Sequence, residues 1–117
     1  MHLMLDARGG DSAALGHTAT AESYLATLAE RTDMTIIVPP MVKGTPIGLV
    51  GMVVLAESHA SIHVVDDNAW VDLFTCRPMS EEVAVDLREY TRELYTFREI
   101  RGYLMHRGLD TLESAPA

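Results

Sequence analysis

The side chains able to do covalent chemistry concentrate between residues 57 and 63, and the single cysteine, Cys76, follows a short way downstream. Ser58, with His59 and His63 nearby in sequence, offers a nucleophile and a base, which is the pairing used by serine hydrolases. No G-x-S-x-G turn surrounds Ser58, which disfavours a hydrolase. The two histidines share one strand face at best and have no obvious third ligand, which disfavours a metal site. Spacing alone therefore favours ordinary polar residues at a strand turn.

Length, charge and cysteine usage exclude several classes of protein. The chain has 117 residues, which predicts a single domain over residues 1–117. Its formal charge of −8 disfavours nucleic acid and anionic membranes as partners. One cysteine excludes an intrachain disulfide framework and a thiolate-rich zinc site. The longest apolar run, 47–56, is too short to cross a membrane, and residues 1–6 lack the basic start of a secretory signal, so we expect a cytoplasmic location.

Hydrophobic periodicity predicts the elements that must position these residues. Strands are predicted at 2–6, 34–38, 49–57, 60–65, 70–75 and 100–105, and helices at 21–32 and 80–96. The Pro39-Pro40 pair is predicted to end the second strand, because proline cannot donate to a strand ladder. The remaining segments, 7–12, 41–48 and 66–68, are predicted to be loops or turns, and 109–117 a frayed tail.

The resulting order, β-α-β-β-β-α-β, predicts an α+β fold. We expect a two-layer sandwich in which two helices cover one face of a mainly antiparallel sheet. The second face of the sheet would then remain uncovered, and packing against a second copy of the chain is the simplest way to bury it. The pattern therefore predicts a homodimer or a higher homo-oligomer.

Two segments carry a resemblance to a known family. Residues 55–63, Leu-Ala-Glu-Ser-His-Ala-Ser-Ile-His, together with residues 71–76, Val-Asp-Leu-Phe-Thr-Cys, resemble the prokaryotic S-adenosylmethionine decarboxylase proenzymes. Residues 2–6, residues 35–37 and the two glycines within residues 46–51 support the match, which covers roughly the first two thirds of the chain.

The resemblance implies that the chain cuts itself between Glu57 and Ser58. Attack by the Ser58 hydroxyl would give an ester, and elimination would then convert Ser58 into a pyruvoyl group. The 117-residue chain would become fragments of 57 and 60 residues held together by the fold. The pyruvoyl group is the only cofactor implied, and no metal is required. Its carbonyl forms an imine with a substrate amine and accepts the electrons left behind as carbon dioxide departs.

The same resemblance assigns roles to three further residues. His63 matches the histidine that assists processing, a task suited to a side chain that exchanges protons near neutral pH. Cys76 matches the proton donor that returns a proton to the substrate carbon after decarboxylation. Glu57 precedes the scissile bond, where it shapes the turn. On the residues alone, His63 would be a structural histidine and Cys76 an inert thiol.

The sequence departs from the family pattern where the substrate is prepared and bound. Val50 stands where the family usually carries a serine that supports processing, and residues 41–45 lack the aromatic ring on which an adenine would stack. Asp66 and Asp67 follow the motif and offer two carboxylates that could face a cation. The alternative interpretation is that both are hairpin turn residues.

These departures favour a decarboxylase of polyamine synthesis whose small-molecule substrate is a cationic amino acid, L-ornithine or L-arginine. The first alternative is S-adenosylmethionine, with its base stacked on Trp70 or Tyr103. The second alternative is an unprocessed, non-catalytic homologue that acts as a partner or binding subunit, which Val50 motivates.

Overall fold

The computed structural model describes residues 1–108 and the backbone of Glu113–Pro116. The strands are β1 (His2–Arg8), β2 (Ile36–Thr45), β3 (Gly48–Leu55), β4 (Ser58–Val65), β5 (Asn68–Thr75), β6 (Glu99–His106) and β7 (Glu113–Pro116). The helices are α1 (Ser12–Leu15), α2 (Thr18–Arg31) and α3 (Glu81–Tyr95). Part of the predicted tail, residues 109–112 and 117, lies outside the described residues.

The described strands form one sheet in the order β2-β3-β4-β5-β1-β6-β7, and every neighbouring pair is antiparallel. Helix α2 packs on β2, β3 and β4, and helix α3 packs on β6 and β1. The helices also contact each other, because the hydroxyls of Tyr24 and Thr91 share a hydrogen bond of 2.7 Å and Arg31 pairs with Asp86 at 3.1 Å. The predicted α+β sandwich with its helices on one face is confirmed.

Strand β4 shows why the two faces of the sheet differ. Successive side chains of a strand point to opposite sides. Ser58, Ala60 and Ile62 are buried beneath the helices, whereas His59 and His63 point away from them and are exposed. We call the side away from the helices the open face; it carries His2, Met4, Asp6, Val50, Met52, His59, Ser61, His63, Trp70, Asp72, Phe74, Arg101, Tyr103 and Met105.

Strand β2 is longer than predicted. Only residues 46 and 47 of the predicted loop 41–48 form a turn, since β2 continues to Thr45 and pairs with β3 from Gly48 onward. The Pro39-Pro40 pair does not end the strand because β2 lies at the edge of the sheet, where a proline with no N–H disrupts less of the ladder. The register shifts between Val38 and Met41, so a local irregularity accommodates the two rings.

Helix α3 turns a slightly different side to the core than the periodicity predicts. The spacing of Val83, Leu87, Tyr90 and Leu94 at i, i+4, i+7 and i+11 predicts that these four residues face the core. Leu87 is buried, but the other three are only partly buried. Thr91 is buried instead, because its hydroxyl donates to the carbonyl of Leu87 at 2.7 Å and is therefore satisfied away from water. The buried residues of this helix are Ala84, Leu87, Thr91 and Tyr95.

Several boundaries also differ from the prediction. Helix α2 begins at Thr18, three residues early, and α1 is too short for its periodicity to be visible in the sequence. Strand β4 begins at Ser58 and not at residue 60, because Ser58 pairs with Thr75 of β5. Strand β7 pairs with β6 inside the segment predicted as a frayed tail.

Candidate active site

Ser58 is the first residue of β4 and points toward the helices. Only 9% of the residue is exposed, and its hydroxyl donates to the thioether sulfur of Met34 at 2.8 Å. Met34 lies in the short connection between α2 and β2, so the fold brings together two residues that are 24 positions apart. A thioether is a weak acceptor and has no basic character near neutral pH, so this contact orients the hydroxyl without activating it.

The peptide bond before Ser58 carries a hydrogen-bond donor on its carbonyl. The backbone N–H of Cys76 donates to the carbonyl oxygen of Glu57 at 3.0 Å. This contact follows from the pairing of β4 and β5, which sets Ser58 opposite Thr75. A fixed N–H at this distance polarises the carbonyl and stabilises negative charge that develops on its oxygen during nucleophilic attack.

The thiol of Cys76 lies at the same end of the sheet. Cys76 follows Thr75, the last residue of β5, and is exposed. Because Thr75 is buried on the helix side, strand alternation places Cys76 on the side of the open face. The backbones of the predicted nucleophile and the predicted proton donor are therefore adjacent, while the Ser58 hydroxyl and the Cys76 thiol lie on opposite sides of the sheet.

His63 is not close to Ser58 within one chain. It lies five residues along β4 and on the open face, where it pairs in register with Val50 and Trp70. Five residues of extended strand span about 17 Å, which exceeds the reach of an imidazole. The ring meets the edge of Trp70 at a centroid distance of 6.5 Å. The structure therefore does not bring the predicted processing histidine to the predicted cleavage site of its own chain.

Asp66 and Asp67 form the connection between β4 and β5, at the opposite end of these strands from Ser58. Asp66 has a left-handed φ of 54° and its N–H donates to the carbonyl of Ile47 at 2.8 Å. The carbonyl of Asp67 accepts from Gly10 at 3.2 Å. Aspartate tolerates left-handed backbone in tight turns, so turn formation accounts for both residues. Eight residues of strand, about 26 Å, separate them from Ser58, which removes them from its site within one chain.

The structure adds Arg77, a residue that the sequence does not single out. Its guanidinium donates to the carbonyl oxygens of Asp33 at 2.9 Å and Thr32 at 3.3 Å. It also lies 3.6 Å from Oε2 of Glu57, the residue on the acyl side of the predicted cleavage site. These partners are 20 to 45 positions away in the chain. Only the position beside Cys76 could have drawn attention to Arg77 in the sequence.

A cleft of about 450 Å³ opens beside Ser58 on the helix side. It lies between the end of α2 and the start of α3, and Met34 separates it from the Ser58 hydroxyl. Its lining is Arg31, Thr32, Asp33, Met34, Arg77, Pro78, Met79, Ser80 and Val83.

Within the described part of the chain, no three His, Cys, Asp or Glu side chains are grouped so as to hold a metal ion. Residues 1–108 contain no helix long and apolar enough to cross a membrane.

The open face holds a second hollow between two exposed aromatic rings. Trp70 and Tyr103 are 45% and 40% exposed and line it together with Asp6 and Asp72. Nε2 of His2 lies 2.9 Å from Oδ1 of Asp72, so that carboxylate already has a partner. The rings on which an adenine was predicted to stack are therefore accessible.

Comparisons with known proteins agree on one family. The model of the S-adenosylmethionine decarboxylase family matches residues 1–107. An S-adenosylmethionine decarboxylase proenzyme of Clostridium botulinum is 36% identical over 77 residues, covering 64% of this chain and 66% of that protein. Another from Prochlorococcus marinus is 34% identical over 92 residues, covering 75% of this chain and 74% of its own length.

A solved structure is similar in fold. The adenosylmethionine decarboxylase of Aquifex aeolicus superposes with a TM-score of 0.69 over 86% of this chain and 83% of that one, at 20% identity.

The aligned part of the chain spans just under two thirds of the Clostridium relative. Since the family model covers nearly the whole sequence, the predicted membership is confirmed: the chain belongs to the S-adenosylmethionine decarboxylase family.

Proposed function

We propose that this chain is a self-processing, pyruvoyl-dependent decarboxylase of polyamine synthesis that cuts itself between Glu57 and Ser58. The observation that carries the proposal is the geometry of one carbonyl. The oxygen of Glu57 accepts the Cys76 N–H at 3.0 Å, and the Ser58 hydroxyl is on the next residue, held in a buried position. Family membership supports the same class of reaction.

The proposed cleavage begins with attack of the Ser58 oxygen on the carbonyl carbon of Glu57. The Cys76 N–H stabilises the resulting oxyanion, and collapse breaks the C–N bond to leave an ester and a free amine on residue 58. Removal of the α-proton of residue 58 then expels the Glu57 carboxylate, and hydrolysis of the remaining enamine releases ammonia. The hydroxyl first has to leave the sulfur of Met34 and meet a base.

The residues present fit a pyruvoyl group at position 58. Such a group supplies a carbonyl that condenses with an amine and withdraws the electrons released with carbon dioxide. The thiol of Cys76 lies at the same end of β5, where it can deliver a proton to the substrate carbon that has lost its carboxylate. Because Cys76 lies beside the bond between Glu57 and Ser58, it has two separable roles. Its backbone N–H polarises the Glu57 carbonyl, and its thiol donates a proton to the substrate.

We further propose S-adenosylmethionine as the substrate. The comparisons give no support to the predicted preference for L-ornithine or L-arginine and favour this alternative, because the relatives described above are named for S-adenosylmethionine. That preference also relied on Asp66 and Asp67, whose turn geometry explains them without a cationic ligand. Trp70 and Tyr103 supply exposed rings in place of the missing loop aromatic. Trp70 lies in register with His63, about 17 Å along the strands from Ser58, so its ring would hold the base at the site of a partner subunit.

The active unit is proposed to be a homodimer that packs open face against open face. Ser58 needs a base, and His63 of its own chain is about 17 Å along the strand and on the other side of the sheet. A two-fold arrangement places the same surface of each copy on the other, so the histidine end of one β4 can meet the Cys76 end of its partner. His63 of the partner subunit would then serve as the processing base, and each site would be incomplete in a monomer.

Intact mass analysis of freshly purified protein tests the proposal. We expect two fragments of 57 and 60 residues that co-purify, with loss of activity on borohydride reduction in the presence of substrate. Carbon dioxide release from carboxyl-labelled S-adenosylmethionine, L-ornithine and L-arginine, assayed side by side, identifies the substrate. Turnover of either amino acid alone would contradict the substrate assignment.

The second candidate is an unprocessed homologue that binds a ligand or a partner without catalysis. Val50, which lies in register with His63, brings a hydrocarbon side chain where the family carries a hydroxyl, and this observation favours the alternative. A single chain that remains uncut through prolonged incubation as a dimer would establish it, and would overturn the first proposal.

A further inference from the structure

Arg77 connects three parts of the chain that meet around the scissile bond. Its guanidinium bonds to two carbonyls at the C-terminal end of α2, those of Thr32 and Asp33. The same group lies 3.6 Å from the side-chain carboxylate of Glu57. Its own backbone N–H donates to the hydroxyl of Thr75 at 3.0 Å, which holds the arginine at the end of β5.

The three groups that the Arg77 guanidinium contacts all carry full or partial negative charge. The C-terminal end of a helix exposes unpaired carbonyls that carry partial negative charge, and a guanidinium placed there is favourable. Glu57 brings a full negative charge to the same place. Its Oε1 is the single buried polar side-chain atom among the described residues that has no hydrogen-bond partner. A carboxylate with one buried, unpaired oxygen depends on its remaining counter-charge to hold its position.

This arrangement bears on cleavage because it acts on the acyl side of the bond. The Glu57 carbonyl must keep its hydrogen bond to the Cys76 N–H while Ser58 attacks it. A fixed Glu57 side chain restrains the backbone of the residue, and a change in its ψ angle would turn that carbonyl away from both groups. The end of α2 also leads directly to Met34, which contacts the Ser58 hydroxyl before attack, so the same guanidinium fixes the segment that borders the Ser58 side chain.

We propose that Arg77 is a positioning residue for backbone cleavage, acting through the carboxylate of Glu57. This inference rests on the proposed self-processing and adds a residue to it. Elimination also leaves Glu57 with a new α-carboxylate beside its side-chain carboxylate. Two negative charges then lie next to one guanidinium, which offsets their repulsion and favours departure of the carboxylate. Arg77 takes no proton and forms no bond in the reaction.

The test follows the rate of self-cleavage separately from the turnover of chains already cut. Arg77→Met keeps the length of the side chain and removes its charge, and we expect it to slow cleavage by about tenfold or more, since small misplacements of reacting groups are costly. Turnover per processed chain should stay within about twofold of the unsubstituted enzyme, because the pyruvoyl group has then already formed. Arg77→Lys should recover part of the cleavage rate.

Arg92→Met provides the matched control. Arg92 is an exposed arginine of α3 whose ion pair with Glu89 has the same separation of 3.6 Å, but it has no contact with the site. This variant should cleave at the unsubstituted rate. Melting temperatures of all variants before cleavage show whether a slow rate reflects lost folding.

The double variant decides whether Arg77 acts through Glu57. Glu57→Gln alone should slow cleavage, and adding Arg77→Met should slow it by less than the product of the two separate effects. Cleavage of Arg77→Met at the unsubstituted rate, or strictly multiplicative effects in the double variant, would overturn the inference while leaving the proposed function intact. An unsubstituted chain that never cleaves would overturn both.

Discussion

The two faces of the sheet differ in the kinds of side chain that they carry. The face beneath α2 and α3 is lined by aliphatic side chains such as Ile62 and Leu73, which are fully buried. The open face carries imidazole, indole and carboxylate groups, among them His63 and Trp70 on neighbouring strands. Because one strand supplies both faces alternately, stability and chemistry are encoded in the same segments at positions of opposite parity.

Ser58 departs from this pattern, because a side chain proposed to react lies on the covered face. Its side chain lies on the covered face, while the imidazole and thiol predicted to serve it lie on the open face. The proposed scissile bond lies between the two faces because it is at the start of β4, where the chain has just crossed from β3. A cleavage site at a strand end can be reached from both faces, whereas one in the middle of a strand cannot.

The largest expected effects are on cleavage and turnover, and they should differ between variants of Ser58 and Cys76. Ser58→Ala removes the nucleophile and should abolish both cleavage and decarboxylation. Cys76→Ala should leave cleavage largely intact, because the backbone N–H on the Glu57 carbonyl remains, but should reduce turnover by about 10²-fold or more through loss of the proton donor. Intact mass and labelled carbon dioxide release measure the two steps. Equal loss of cleavage in both variants would contradict the separation of roles.

The assignment of His63 to the opposite protomer can be tested by mixing variants. His63→Ala alone should remain uncut. When it is co-expressed in equal amount with Ser58→Ala, about half of the His63→Ala chains should pair with a chain that still has its histidine, and these should be cleaved. A mass tag on one variant identifies which chain is cut. If cleavage in the mixture equals that of His63→Ala alone, the histidine acts within its own chain or not at all.

The difference in packing between the faces predicts a difference in stability. Leu87 is fully buried under the sheet and Met52 is 45% exposed on the open face. Leu87→Ala should lower the free energy of unfolding by about 2–5 kcal/mol. Met52→Ala should lower it by less than about 0.5 kcal/mol when unfolding is followed in urea at a low protein concentration. Similar losses in the two variants would show that the open face is as tightly packed as the covered one.

Much of this architecture is predictable from local pattern, and what is not depends on contacts between distant segments. Periodicity predicts the strands around Ser58 and Cys76, since alternating burial is a property of each segment. The side chains of Ser58 and His63 are an odd number of residues apart on one strand, so the sequence also predicts that they lie on opposite faces of the sheet. The roles of Arg77 and Met34 are not predictable in this way, because they depend on contacts with residues distant in the chain.

The Asp66-Asp67 pair shows a different limit of the sequence. Carboxylates that terminate a hairpin and carboxylates that bind a cation look the same in one dimension. Backbone geometry separates the two cases, because a left-handed φ at Asp66 and hydrogen bonds to Ile47 and Gly10 already account for the turn. The extension of β2 through two prolines likewise depends on its position at the sheet edge, which only the strand order reveals.

The smallest effect concerns the polar contact that joins the two helices on the covered face. Burial raises the pKa of Tyr24, whose hydroxyl shares a hydrogen bond of 2.7 Å with Thr91. At neutral pH, Tyr24→Phe should cost about 1 kcal/mol by removing that bond. Above pH 10 the unfolded tyrosine ionises while the folded one stays neutral, so this residue makes the native protein lose stability as the pH rises, by about 1.4 kcal/mol per unit. The Tyr24→Phe variant has no such loss. The difference in unfolding free energy between the variant and the unsubstituted protein should therefore shrink above pH 10 and stay constant between pH 7 and 9. Urea unfolding across this range measures both, and a deficit that persists unchanged to pH 11 would show that solvent reaches the covered face at this point.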